Sequence, residues 1–427
     1  MIAIDLILGI PAAAALLLAL VPSHTVAARL NVVAALATFA ASLVPFWARP
    51  ETTAFVLIDD FNIYLVALTA FVGFTTSLFS ARYVLHEVSI GRLQPHFLRY
   101  YHAIYQAFLL SMLLALTSNN LGVLWVALEG ATLSTVLMVG LYRTHEALEA
   151  AWKYFILCGV GIALALFGTT LMYLAAQPTM GSGLPAMTWS ELLPRVAEFN
   201  PALLNLAFVF LLVGYGTKVG LAPLHAWLPD AHAEGPTPIS AVLSGLLLNV
   251  ALYCVLRFKM LLAANPLAVA PGPLMTAMGL SSLLLASLML YRRRDIKRLF
   301  AYSSIEHMGI ITFAFGMGGA VANFAALLHM TVHSLTKSAI FFAAGHASQK
   351  AGSQLMDQIR GLITLSPTIG WGLMMGSLAI LGMPPFGVFA SEFLILTTAM
   401  REQPWATPLL LLALGVAFAA VFSRVQP

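Results

Sequence analysis

The chain has 427 residues, of which 60% are hydrophobic and 9% are charged, and its mean hydropathy is +0.90. Soluble domains carry about 25% charged residues, so this composition excludes a soluble globular fold and indicates a membrane protein. The formal net charge is +4, and no basic run is typical of nucleic-acid binding. The two cysteines, Cys158 and Cys254, lie in apolar runs without a CxxC pattern, which excludes an iron–sulfur cluster or structural zinc held by this chain.

Apolar segments recur along the whole chain, each near the length of roughly 20 residues that crosses a hydrocarbon core. We predict about thirteen transmembrane helices, centred near residues 12, 38, 70, 110, 130, 163, 212, 248, 280, 308, 333, 380 and 415. The first apolar run opens Met-Ile-Ala-Ile-Asp without a basic region, so we expect a retained span and not a cleaved signal peptide. The predicted fold is an all-α polytopic membrane protein.

The 21 Lys and Arg residues are distributed unevenly between the two sides of these spans. With the N-terminus outside, most of them face the cytoplasm, as the positive-inside rule requires. The exceptions fall on the outer side or, in two cases, inside spans: Arg49, Arg195, Arg257, Lys259, Arg401, Lys218 and Lys337. The predicted location is a bacterial inner membrane with the N-terminus outside.

Four ionisable residues of alternating sign lie at membrane depth: Glu129, Lys218, Lys337 and Glu392. A charge near the bilayer centre costs roughly 2.5–3.5 kcal/mol, so such residues are usually functional. His329 and His333 precede Lys337 at four-residue steps and therefore share one helix face with it. Histidine accepts and donates protons near neutral pH. This set of buried carboxylate, amine and imidazole groups indicates a proton relay within the membrane.

Each of these residues also has a purely structural interpretation. Glu129 and Lys218 could form a static ion pair, and the two histidines could join helices by hydrogen bonds. Lys337 could extend to the membrane interface, and Glu392 could pair locally. The occurrence of four such charges in one chain favours the relay.

A metal site is a further alternative near residue 230. His225 and His232 flank a turn that contains Asp230 and Glu234. We favour a solvated, proline-rich connecting loop and predict no metal site.

Two predicted spans are interrupted beside a buried charge. Glycines and Pro223 surround Lys218, and Pro384 and Pro385 precede Glu392. Proline breaks the helical hydrogen-bond ladder, and interrupted helices in both halves of a transporter indicate inverted repeats around an ion path. We predict helices 1–3 over residues 1–102 and two inverted five-helix repeats over residues 103–262 and 263–427. The alternative is that these prolines only kink their helices.

Four motifs resemble one membrane-protein superfamily: His-Ala-Trp-Leu-Pro-Asp-Ala-His-Ala-Glu-Gly-Pro-Thr-Pro-Ile-Ser-Ala at 225–241, Asp-Ile-Lys-Arg-Leu-Phe-Ala-Tyr-Ser-Ser-Ile-Glu-His-Met-Gly at 295–309, His-Ser-Leu-Thr-Lys-Ser-Ala at 333–339, and Gly-Met-Pro-Pro-Phe with Ser-Glu-Phe at 382–393. The superfamily comprises the antiporter-like subunits of respiratory complex I, the Mrp sodium/proton antiporters and the group 4 membrane-bound hydrogenases. Strings at 117–121, 149–154 and 382–386 look most similar to its hydrogenase-4 component F branch.

The resemblance implies roles for individual residues. Glu129 resembles the essential glutamate of the fifth helix, and Lys218 the central lysine of the broken seventh helix. His329, His333 and Lys337 look like the relay of the eleventh helix, and Glu392 like the exit-side residue of the twelfth. Further relay or gating positions are His225, Asn249, Glu306 and His307.

The chain departs from the superfamily in two places. Asn249 stands where related subunits carry a lysine, so a relay must cross this position by water or histidine. The sequence also stops before the usual fourteenth helix, as in a shortened form or one whose last helix comes from elsewhere.

The expected function is that of a proton-translocating, antiporter-like membrane subunit of a redox-driven complex, such as a membrane-bound hydrogenase, a formate hydrogenlyase or a complex I-like oxidoreductase. We expect no catalytic site or cofactor in this chain. Iron–sulfur clusters, and nickel–iron in a hydrogenase, would belong to partners: hydrogenase-like large and small subunits and ferredoxin-like proteins of a peripheral arm. The alternatives are a sodium/proton antiporter without redox chemistry, a non-transporting scaffold, and a relative that works with a zinc protein in inorganic-carbon uptake.

Overall fold

The computed structural model describes residues 2–425, apart from the side chain of Phe97. Helices make up 81% of the structure, and the described residues form isolated β-bridges but no strand. The all-α prediction is therefore confirmed. In chain order the helices are α1 Ile2–Leu20, α2 His24–Leu43, α3 Ile63–Ser89, α4 Tyr101–Thr117, α5 Leu121–Val139, α6 His145–Met180, α7 Trp189–Leu192, α8 Pro201–Val219, α9 Trp227–Glu234, α10 Thr237–Val242, α11 Leu248–Ala263, α12 Gly272–Leu290, α13 Ile296–Met317, α14 Gly319–Ala351, α15 Leu362–Leu365, α16 Pro367–Ile380, α17 Gly387–Glu402 and α18 Thr407–Val425.

Many of these helices have the length and composition of membrane spans. Within residues 2–425, nine helical segments of at least 18 residues are apolar enough to cross a bilayer, and α4 and α16 are shorter apolar helices. By their length and composition, these helices indicate a multi-pass membrane protein. The predicted count of about thirteen spans stays a prediction.

The chain divides into two compact units. The first comprises residues 1–218 and 250–271, and the second comprises residues 219–249 and 272–427. The predicted repeat boundaries at residues 103, 263 and 427 remain predictions.

Arg257 joins three parts of the first unit. Its guanidinium nitrogens lie 2.6 and 3.0 Å from the carboxylate of Asp59, and its Nε donates to the Tyr253 hydroxyl at 2.7 Å. The carbonyl of Arg257 accepts the Trp189 indole N–H at 2.9 Å. Since Arg257 is only 2% exposed, the bidentate pair anchors α11 to the segment before α3, and the indole bond anchors α11 to α7.

Glycines bring α8 against α6 in the first unit. A Cβ atom at Gly214 would lie 2.6 Å from both the Ala165 nitrogen and the Gly161 carbonyl oxygen. Small residues of this kind let membrane helices approach closely, which is the usual basis of their packing. This contact lies one helical turn before Lys218 and fixes the end of α8.

The second unit is built around the 33-residue helix α14. Helices α10, α13, α16 and α17 pack against it. Glycines again allow close packing beside it, because a Cβ atom at Gly309 of α13 would meet the backbone of α12 at Leu283. As a result, long stretches of α13 and α14 are buried on most sides.

Both predicted helix interruptions are present. Helix α8 ends at Val219, and Gly220 has a φ of +81° as the chain leaves the helix before α9 begins at Trp227. Helix α16 ends at Ile380, and α17 begins at Gly387. A third irregularity was not predicted: a π-helical turn over Leu243–Leu247, just before Asn249. Such turns leave backbone groups free for other contacts and are frequent at functional sites.

We predict that Gly214→Ala lowers the thermal stability of the detergent-solubilised protein, because the new methyl group overlaps the α6 backbone. Overpacking of this kind costs about 1–3 kcal/mol. The matched control is Gly159→Ala on α6, where a Cβ atom meets nothing within 4 Å. Equal melting temperatures for the two variants would contradict this account of the α6–α8 contact.

Candidate functional site

The first cluster of candidate residues surrounds Lys218 at the end of α8. Lys218 is fully buried, and its ammonium donates to the Thr132 hydroxyl on α5. The same nitrogen lies 5.3 Å from the centre of the Tyr154 ring on α6, which also hydrogen-bonds Thr135 at 2.6 Å. A hydroxyl acceptor and an aromatic face both favour a cation. The charge of Lys218 is thus accommodated by neutral groups.

Glu129 lies one helical turn before Thr132 on α5, whose N-terminus is capped by the Asn120 side chain. Glu129 interacts electrostatically with Lys218. Across residues 2–425, however, no ion pair joins the two side chains, and the Glu129 Oε2 atom has no hydrogen-bond partner. The structure therefore does not contain the static ion pair considered as an alternative. The carboxylate acts on the lysine through space, where a small displacement changes the interaction strongly.

The second cluster is a hydrogen-bonded row of side chains in the second unit. His329 on α14 contacts His307 on α13, with Nε2 and Nδ1 2.9 Å apart. The other ring nitrogen of His329 lies 2.9 Å from the Ser391 hydroxyl on α17. Each of these three groups can both donate and accept a hydrogen bond. A proton can therefore enter at one end while another leaves at the other end.

Glu392 lies beside this row. Its carboxylate and the ring nitrogens of His307 and His329 are all within 4.8 Å of one another. Gly382, in the interruption before α17, makes room for the carboxylate, since a Cβ atom there would meet Glu392 Oε2. Gly382 also has a φ of +66°, which favours glycine. These ligand atoms are spaced so that they could also close around a metal ion.

His333 and Lys337 lie further along α14, and neither ring nitrogen of His333 has a hydrogen-bond partner among the described residues. The His333 ring lies 5.6 Å from that of His307. Lys337 is fully buried, and its ammonium donates to the Phe300 carbonyl on α13 at 2.9 Å. Glu306 interacts electrostatically with Lys337. The α13 residues Glu306 and His307 thus lie with the α14 residues in one cluster.

Asn249 is tied to α14 by its side chain. Its Nδ2 donates to the Met330 carbonyl at 3.1 Å and to the Ser334 hydroxyl at 2.7 Å. Ser334 in turn donates to the carbonyl of Gly245 in the π-helical turn at 2.6 Å. Asn249 therefore lies between the His329 and Lys337 levels of α14, and contributes polar contacts without a charge.

The segment after Lys218 differs from the prediction. The predicted solvated loop around His232 is wrong, because Trp227–Glu234 is a helix and His232 is fully buried with its ring stacked on Phe341 at 5.0 Å. The prolines of this segment suggested a loop, but Pro229 occupies the first turn of α9, where its missing N–H is harmless. His225 lies in the irregular segment before α9 and is 9% exposed.

The predicted residues thus fall into two groups. Glu129 and Lys218 both lie in the first unit, and the others lie in the second unit: His225, His329, His333, Lys337, Glu392, Glu306, His307 and Asn249. Sequence reasoning assigned no role to Thr132, Tyr154 or Ser391. Thr132 follows Glu129 by three positions and so shares its helix face, which was a usable signal. No sequence signal pointed to Tyr154, since it lies on a different helix, far from Lys218 in the sequence.

Comparisons with known proteins identify the family. Residues 118–421 match the family described as NADH:quinone oxidoreductase/Mrp antiporter, transmembrane. The chain is 59% identical over 410 residues to a hydrogenase-4 component F homolog of Methylacidiphilum infernorum, covering 96% of this chain and 86% of that protein. It is 27% identical over 377 residues to NADH-quinone oxidoreductase subunit N of Desulforudis audaxviator, covering 86% and 71%.

The chain belongs to the NADH:quinone oxidoreductase/Mrp antiporter family. A solved structure supports its fold: a chain of the membrane-bound sulfane sulfur reductase, an archaeal respiratory membrane complex, matches with a TM-score of 0.87. The match covers 99% of this chain and 87% of the other, at 23% identity. The family thus accounts for the membrane helices and for the antiporter-like character of the subunit.

The Thr132 contact gives a direct prediction about the first cluster. Thr132→Val keeps the shape but removes the acceptor of the Lys218 ammonium, and hydrogen bonds to charged groups contribute about 1.5–3 kcal/mol. We expect slower proton translocation by the assembled complex in membrane vesicles. The control is Thr170→Val, on an exposed position of α6. Unchanged translocation in Thr132→Val would contradict a role for this contact.

Proposed function

We propose that this protein is the proton-translocating, antiporter-like membrane subunit of a redox-driven complex. The observation that carries the proposal is the wholly buried Lys218, held by Thr132 and Tyr154 and subject to the field of Glu129. A lysine buried among neutral groups can bind or lose its proton when a nearby charge changes.

Redox chemistry in partner subunits would change the electrostatics at Glu129. A stronger interaction with Glu129 favours the protonated lysine, and a weaker one favours proton release. Moving one charge against the membrane field takes about 2.3 kcal/mol per 100 mV. The interaction of two charges in a partly dry site changes by a comparable amount over a few ångströms.

The second unit would carry the proton onward to Lys337 and Glu392. The hydrogen-bonded row of Ser391, His329 and His307 supports this step, since its members can exchange protons in sequence. Asn249 cannot hold the charge itself. Its bonds to Ser334 and Met330 place a polar group at this level of the path.

The oxidoreductase chemistry would belong to partners. The relatives carry the names of a hydrogenase-4 component and of a quinone oxidoreductase subunit. We propose a peripheral arm of hydrogenase-like large and small subunits and ferredoxin-like proteins that contain iron–sulfur clusters, with nickel–iron if the complex is a hydrogenase. We also propose an inner-membrane location with the N-terminus outside.

Sodium/proton exchange without electron transfer is the second candidate, because the family name includes Mrp antiporters. Affinity purification of the tagged protein from gently solubilised membranes, followed by mass spectrometry, separates the two. Co-purified hydrogenase-like and iron–sulfur subunits support the redox-driven complex. Recovery with small membrane subunits alone would contradict it, and sodium-dependent proton exchange in vesicles would then be measured.

We predict that Glu129→Gln strongly reduces proton translocation by the assembled complex while its redox subunits remain bound. The substitution keeps the size of the side chain but removes the charge that acts on Lys218. The control is Glu146→Gln, at an exposed position in the first turn of α6. A scaffold role would be supported instead if Glu129→Gln translocated protons as well as Glu146→Gln.

A further inference from the structure

A second buried polar cluster lies in the N-terminal helices, away from the residues discussed so far. It contains His24 and Asn31 of α2, and His102 and Gln106 of α4. The two imidazole rings are stacked at 4.9 Å, and Gln106 Nε2 donates to Asn31 Oδ1 at 2.8 Å. Seven residues separate His24 from Asn31, so the cluster extends about 10 Å along α2.

Most polar atoms of this cluster have no protein partner. His102 is 1% exposed, and Asn31 and Gln106 are fully buried. Among residues 2–425, nothing bonds to either ring nitrogen of His24 or His102, to Asn31 Nδ2 or to Gln106 Oε1. An unpaired buried polar group costs about 1–3 kcal/mol. The hydrocarbon core of the bilayer contains no water that could pair with these groups from the lipid side.

A purely structural clamp explains only part of this arrangement. The Gln106–Asn31 bond alone would join α2 to α4, as interhelical hydrogen bonds do in membranes. The histidines add nothing to that bond and would be left unsatisfied. A buried water molecule is bound where several polar groups lie close together. These four side chains provide both donors and acceptors within one cluster.

One end of the cluster lies at the first turns of α2 and α4. His24 is the first residue of α2 and is partly exposed, and His102 is the second residue of α4. Arg29 and Arg99 lie near the same helix ends, on the side that the basic residues predict to be cytoplasmic. Further along α4, Ser111 lies against Gly130, the neighbour of Glu129 on α5, since a Cβ atom at Gly130 would be 3.0 Å from Ser111 Oγ.

We propose that His24, His102, Asn31 and Gln106 bind a short file of water, open to the arginine-bearing membrane surface, which takes up protons for the first unit. The stacked histidines form its mouth, and the amide pair forms its inner end. The uptake of protons rests on the proposed function, whereas the binding of water does not.

The water file is tested by cysteine labelling of the assembled complex in membrane vesicles. Thiols react with 2-aminoethyl methanethiosulfonate as thiolates, which form only where water solvates them. We expect Asn31→Cys to react roughly tenfold faster than Val33→Cys. The thiol at residue 33 lies outside the proposed water file, so it ionises less readily and reacts more slowly. Val33 is a matched control, because it lies two residues away on α2 and is 62% exposed on a helix that is long and apolar enough to cross a membrane. The parent chain, with Cys158 and Cys254 buried, gives the background.

Equal, slow labelling of Asn31→Cys and Val33→Cys would overturn the proposal in favour of a dry structural clamp. Proton uptake is tested by Gln106→Leu, with Gln177→Leu at an exposed end of α6 as control. We expect translocation to fall in Gln106→Leu while the complex stays assembled. Fast labelling with unchanged translocation would overturn uptake through this site. A wild-type complex that translocates no protons would contradict the proposed function, and the labelling result would still decide whether the site holds water.

Discussion

Among the residues that the structure describes, Lys218 and Lys337 are fully buried inside a membrane protein, so the protein itself must accommodate their charges. Lys218 and Lys337 use similar means in the two units. Each ammonium donates to one oxygen, of Thr132 or of Phe300, and each lies 5–6 Å from an aromatic ring. Each also has a glutamate that acts on it without forming an ion pair among the described residues.

The irregular segments supply the polar contacts that straight helices would withhold. A regular helix satisfies its own carbonyls and leaves nothing for a neighbour. The π-helical turn exposes the Gly245 carbonyl to Ser334, and Ser334 then accepts from Asn249. The interruption before α17 brings Gly382 against the carboxylate of Glu392. In each case the departure from helical geometry lies next to a candidate relay residue.

The charged candidate residues could be predicted from the sequence, because residues whose charge is costly to place in a membrane are easy to recognise. A charge in an apolar run is expensive, so Glu129, Lys218, Lys337 and Glu392 stood out, and Pro384 and Pro385 marked an interruption that the structure contains. Neutral partners gave no such signal. Ser391 and Tyr154 are ordinary residues until the fold brings them beside His329 and Lys218. His232 was wrongly predicted to lie in a solvated loop. Prolines such as Pro229 are common both in loops and in the first turn of a helix, so they did not distinguish the two. His24 and His102 were overlooked because helix ends commonly carry polar residues.

If the charge of Lys218 couples electron transfer to proton movement, removing it must separate the two processes. The most direct measurement is the number of protons translocated per electron by the purified complex in proteoliposomes, compared between wild type and Lys218→Ala. We expect electron transfer to continue in the variant while the proton-to-electron ratio falls well below that of the wild type. An unchanged ratio in a correctly assembled Lys218→Ala complex would contradict it.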